Sequence, residues 1–199
     1  MSKENFFDDI EFVNFLKVKA SYGLIGDQAG LPNQTIKHLS YIESASRHLL
    51  SLVENVLDQA QLDTENFQLQ RSNVSIAELV TEVTAVVASL ASAKALAFSA
   101  VMSEKCVQFA MLDSLRVRQI LINLLGNAIK FTEDGEVKLL IDSSDTEIII
   151  TVSDTGPGID PSMHQSIFDA YQRSNMQSSK PGVGLGLNIT KRLVDKMEG

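Results

Sequence analysis

The sequence predicts an α+β protein: a helical hairpin that pairs with a second copy as a four-helix bundle, followed by an α/β sandwich. Three observations carry this. Apolar or small residues at Leu39, Ile42, Ser46, Leu49, Val53, Val56 and Ala60 alternate steps of three and four, the seam of a long heptad helix. After Asp63-Thr-Glu-Asn the helical period gives way to short β-branched segments alternating with helices. The 199 residues hold 44% hydrophobic and 21% charged side chains, a globular composition that excludes disorder and collagen-like repeats.

The elements follow in order. Phe6, Ile10, Val13, Ala20 and Leu24 recur at the helical period, with Lys17 as the one polar interruption, and predict a first helix. Gly26, Gly30 and Pro32 supply the turn, with Pro32 placed where the second helix begins. One hairpin has too little core to fold securely, so residues 1–66 are read as a dimerising module and residues 67–199 as a second domain. In that domain Phe67 to Ile76 is read as a strand, Ala77 to Leu90 as a helix, and Leu96 to Met102 and Val107 to Met111 as short strands. Asp113 is the N-cap of a helix running to about Phe131. Glu136 to Ile141 and Glu147 to Ser153 form a hairpin around Asp142-Ser-Ser-Asp-Thr. Thr155 to Gly184 is polar, holds three of the four prolines and has the character of a lid. A last helix spans Leu185 to about Met197.

Charge and composition narrow the function. The net charge of -8 argues against a general grip on nucleic acid or anionic lipid. No apolar run reaches the roughly 20 residues of a bilayer span, and the acidic N-terminus, Met1-Ser-Lys-Glu-Asn, is unlike a signal peptide. Cys106 is the single cysteine and suits a reducing compartment, so a cytoplasmic location without direct membrane contact is expected.

Three segments carry chemistry. Asn123, Asn127 and Lys130 lie four and three residues apart and share one helix face, where an amide can give oxygen to magnesium and an ammonium can meet phosphate. Asp154 ends an apolar strand and precedes Gly156 and Gly158; a carboxylate there can accept from an exocyclic amine such as that of adenine, with backbone close to the ring. Gly182, Gly184 and Gly186 lead into a helix whose N-terminus can face a polyphosphate. Taken singly, each has a plainer reading: a solvated helix face, a turn, a flexible loop. The glycines lack the Lys-Ser/Thr of a P-loop and follow a lid instead of a strand, so the dinucleotide fingerprint does not fit. It is their joint order and spacing that has no plain reading.

In that order the segments resemble the ATP-binding domain of sensor histidine kinases, within the gyrase, Hsp90, kinase and MutL superfamily. Asp113 through Asn123-Leu-Leu-Gly-Asn127-Ala-Ile-Lys130-Phe-Thr corresponds to the N box, and Asp154-Thr-Gly156-Pro-Gly158-Ile159 to the G1 box. Ile167-Phe168-Asp-Ala-Tyr171-Gln-Arg173 corresponds to the F box and Gly182-Val-Gly184-Leu-Gly186-Leu187 to the G2 box. The resemblance implies Mg2+ on Asn127, adenine on Asp154, and phosphates near Lys130 and the glycines of the G2 box. Phe168 and Tyr171 would pack the lid, and Arg173 would reach toward the terminal phosphate. It also implies a homodimer, and a response regulator or another histidine kinase as partner. Where related ATPases carry a glutamate that activates water, this chain has Asn123, and an amide is no general base; phosphoryl transfer to a side chain is favoured over hydrolysis.

The chain departs from the family pattern twice. The phosphoacceptor motif Phe-Leu-x-x-Met-Ser-His-Glu-x-Arg-Thr-Pro-Leu falls on Phe6 to Val18, which puts Phe12 where the phosphorylated histidine belongs. Val13 replaces its acidic neighbour and Leu16 the hydroxyl side chain of phosphatase turnover. His38, His48 and His164 are read as surface residues, and Phe12 and Phe15 either as a partner patch or as side chains covered by the attached domain. The family domain normally continues past Lys196-Met-Glu-Gly199 with a further hairpin that completes its sheet, so either the sequence is trimmed before that hairpin or the sheet has an exposed edge. Two functions stay open: a histidine-kinase-type phosphotransferase acting on a histidine in trans, and a pseudokinase that regulates another kinase or a response regulator.

Overall fold

A computed structural model describes residues 33–62, 67–170 and 184–199. The predicted first helix, Phe12, Phe15, Tyr171, Arg173 and Gly182 lie outside the described residues. Two compact units divide the chain, Met1–Glu54 and Asn55–Gly199.

Helix α1 spans Asn33–Leu62, from the first of the described residues. Its seam residues Ile42, Leu49, Val53 and Val56 are exposed in the single chain. Its last turn belongs to the second unit, because Leu62 is buried with Ile120, Leu185, Ile189 and Leu193. This places the change of compact unit inside the helix.

The second unit is a two-layer sandwich. Strand β1 is only Ser72–Ser75, since Ser75 Oγ accepts from the Glu78 amide and opens helix α2, Ile76–Ala93. The expected strand Phe67 to Ile76 is thus shortened by a helix cap at one end, while Phe67 to Arg71 carry no regular structure. Alone among the described residues, α2 is long and apolar enough to cross a bilayer, yet Ile76, Leu79, Val83, Val87 and Ala91 are core residues of the sandwich. Strands β2 (Ala97–Met102) and β3 (Phe109–Leu112) precede helix α3, Ser114–Phe131; strands β4 (Glu136–Ser143) and β5 (Ile148–Asp154) follow it.

β1 pairs antiparallel with β3, whereas β2, β4 and β5 form a separate sheet in that order, parallel then antiparallel. β5 is therefore an edge strand among the described residues. Val137, Leu139 and Ile141 alternate inward from β4 onto Val83, Val87, Leu121 and Leu125 of α2 and α3. Two short 3-10 turns, Pro161–Met163 and Ser166–Phe168, follow β5, and helix α4 spans Gly186–Lys196.

Candidate nucleotide site

The predicted polar face sits on α3, and both ends of that helix are tied down. At the N-terminus Asp113 Oδ1 accepts from the Arg116 amide at 3.1 Å, and Oδ2 accepts from the Gln70 amide at 2.9 Å. At the C-terminus Lys94 Nζ donates to three carbonyls, of Ile129 (2.7 Å), Lys130 (3.0 Å) and Thr132 (2.9 Å). A cation there complements the negative end of the helix dipole. Thr132 is fully buried, and its hydroxyl donates to the Ala128 carbonyl at 2.8 Å.

Between these anchors Val117, Leu121, Leu125 and Ala128 face the core, while Asn123, Asn127 and Lys130 are half-buried. The two amides differ. Asn123 Nδ2 donates to Thr190 Oγ1 at 2.7 Å, so this amide is already engaged. Asn127 is half-buried, and its side-chain amide makes no hydrogen bond among the described residues. The Lys130 ammonium lies 4.8 Å from the centre of the Phe131 ring.

Asp154 closes β5 opposite Val137. Its Oδ1 accepts from the Gly156 amide at 2.8 Å, while Oδ2 is bonded by none of the described residues. A Cβ at 156 would stand 2.7 Å from Asp154 Oδ1 and 3.3 Å from Thr132 Oγ1, so a larger residue there would have to displace the Asp154 carboxylate. The G1 turn is thereby pressed onto the end of α3. Thr155 strengthens the join, accepting from the Glu136 amide at 3.0 Å and donating to the Asp134 carbonyl at 3.2 Å. Gly158 has φ +71°, and Ile159 after it is exposed.

In the lid, Asp160 Oδ1 accepts from the Ser162 amide (2.8 Å) and hydroxyl (2.6 Å). Those bonds, with nearby His164, hold its carboxyl below the ordinary value. His164 is exposed, its Nε2 3.1 Å from the Ile159 carbonyl oxygen. Half-buried Phe168 is fastened to α4, where Asn188 Nδ2 donates to its carbonyl at 2.9 Å. Of the G2 residues, Gly184 has φ +77°, and half-buried Leu187 follows Gly186, which starts α4 beside Asn123. The structure thus joins the N box to G1 at Gly156, the N box to G2 at Gly186, and the F box to α4 at Asn188, just past G2. Lys94, Thr132, Asn188 and Thr190 escaped the sequence reading; Thr132 was visible as the last residue of the N box, and Thr190 as the position one helical turn beyond Gly186.

Residues 112–199 match the profile of the histidine kinase-, DNA gyrase B- and HSP90-like ATPases. Hybrid signal transduction histidine kinase K of Dictyostelium discoideum is 33% identical over 88% of this chain, and the sensor protein EvgS of Escherichia coli K12 is 30% identical over 94%. The chain belongs to the sensor histidine kinase family. It spans only 16% of the length of either relative. Full-length ShkA, solved in complex with AMPPNP, aligns over 94% of the chain and 41% of its own length, with a TM-score of 0.73 and 30% identity. Histidine kinase ThkA, solved with its response regulator TrrA, shares the fold at a TM-score of 0.66 and 18% identity, over 96% of this chain and 57% of its own.

Proposed function

We propose that the chain binds Mg-ATP on the α3 face and directs the γ-phosphoryl group to a histidine in trans, on a partner, within a two-component or phosphorelay system. The observation that supports this most is the convergence of three separate sequence motifs on one helix. Gly186 lies against Asn123, Gly156 lies against Thr132, and Asn127 between them keeps an open amide. The bound analogue in the ShkA structure supports ATP as the nucleotide.

Among the described residues no cluster of three His, Cys, Asp or Glu could hold a metal by itself. That suits magnesium, which keeps water and substrate phosphates as most of its ligands and needs one amide oxygen, that of Asn127, from the protein. When bound, the ion neutralises phosphate charge. Asp154 would select the adenine amine through Oδ2, and Gly156 and Gly158 would admit the ring. Lys130 would swing from Phe131 toward phosphate, Gly182, Gly184, Gly186 and Leu187 would line the polyphosphate, and Phe168, Tyr171 and Arg173 would close the lid. Asn123 neither deprotonates water nor stands free, so hydrolysis has no base at this position.

The exposed seam of α1 fits a homodimer, and the ThkA–TrrA complex supports a response regulator as partner. The second reading, a pseudokinase that regulates another kinase or a response regulator, is favoured by Phe12 at the acceptor position. Incubation with γ-labelled Mg-ATP, alone and with the histidine-bearing hairpin of a relative, separates the two. Label on the added hairpin supports the phosphotransferase. Bound nucleotide with no label anywhere supports the pseudokinase. Acid-labile, alkali-stable label on this chain alone would contradict the reading of Phe12.

A further inference from the structure

We infer that Thr190, acting through Asn123, is a positioning residue that sets the seat of α4, and with it the polyphosphate end of the site. The inference rests on the proposed nucleotide site and assigns it a residue that none of its four motifs contains. Thr190 is buried, 6% exposed, and its hydroxyl is the partner of Asn123 Nδ2 at 2.7 Å. Gly186 is one turn earlier on the same face of α4. A Cβ there would stand 2.3 Å from Asn123 Oδ1 and 3.1 Å from Nδ2. One amide therefore spans the first turn of α4, its oxygen over Gly186 and its nitrogen on Thr190.

This contact fixes distance as well as orientation. Asn123 and Asn127 are neighbours one turn apart on α3, so a helix start packed onto Asn123 is held about one turn from the proposed magnesium ligand. α4 begins without a side-chain cap: Leu185 precedes it and gives no such bond. Its first amides are thus left for another acceptor, which phosphate supplies. Asn123 cannot swing aside for a larger residue at 186 without giving up Thr190. The position at which related ATPases place a general base serves here as a strut.

The test uses the full chain and displacement of a fluorescent ATP analogue by Mg-ATP and, separately, by adenosine, which has no phosphates. Thr190→Val removes the hydroxyl and keeps the shape. It is expected to weaken Mg-ATP about tenfold while changing adenosine less than twofold, and Thr190→Ser is expected to restore Mg-ATP to within twofold of wild type. Equal losses for both ligands, or no loss for Mg-ATP, would overturn the inference, because a general loss of fold does not discriminate between them. A second pair serves if Thr190→Val fails to fold. Gly186→Ala should weaken Mg-ATP in the parent chain and cause no further loss in an Asn123→Ala background, where the space is already cleared. Additive losses would contradict it. A wild-type chain that binds no Mg-ATP would overturn the proposed function as well, whereas wild-type binding with an unaltered Thr190→Val variant overturns the strut alone.

Discussion

Two hydrophobic clusters meet on α3, and they hold different halves of the site. The larger joins α2, α3 and β4 through Val83, Val87, Leu121, Leu125, Val137, Leu139 and Ile141. The smaller joins the last turn of α1 to α3 and α4 through Leu62, Ile120, Leu185, Ile189 and Leu193. At 100° per residue, Ile120 and Leu124 lie on α3 between the stripe facing the sheet and the stripe bearing Asn123 and Asn127. α4 packs on that intermediate stripe, beside the amides. The larger cluster is a platform for Asp154, Gly156 and Asn127, and the smaller is a mount for α4 and, through Asn188, for Phe168.

Substitutions in the two clusters should therefore fail differently. Leu125→Ala, at a fully buried platform position, is expected to cost about 2–5 kcal/mol and to lower amide-exchange protection across α2, α3 and β4 together. Leu193→Ala, equally buried in the mount, should have a similar nominal cost but raise exchange mainly over residues 186–197. Identical exchange maps for the two variants would break the comparison. Lys94→Met removes the ammonium from three carbonyls at the end of α3 and is expected to cost about 1–2 kcal/mol in thermal unfolding, with exchange in α4 unaltered.

The smallest effect concerns the lid. Asp160 has a carboxyl held below its ordinary value of 3.8 by Ser162, then by His164. Its ionised form is favoured by the fold, so its contribution is complete above pH 3.8 and is lost as pH falls from there through the lowered value. Asp160→Asn should lessen the acid-induced change in amide signals of residues 161–164 and leave those of α2 and α3 alone.

How much of this was legible in the sequence follows the range of the interactions. Helix α3 was readable with its Asp113 cap because cap and period are local, and so was the β4–β5 hairpin. Phe67 to Arg71 misled, since a β-like composition there is not matched by a ladder partner, and Ser75 ended the segment as a helix cap. The parallel pairing of β2 with β4 depends on a crossover through α3, which no local pattern announces. In the site, the two amides and the lysine were legible as one face, but the difference between Asn123 and Asn127 was not. It is set by Thr190, 67 residues away, and by the absence of a side chain at Gly186.

The central claim is that α3 presents a magnesium-nucleotide site with Asn127 as its open amide and Asp154 as its adenine carboxylate. Calorimetric titration with Mg-ATP, on the parent chain and on Asn127→Ala and Asp154→Ala, tests it most directly. The account predicts saturable one-to-one binding to the parent that requires magnesium, and its abolition in both variants while their thermal unfolding remains cooperative. Unaltered affinity in both variants would contradict the site.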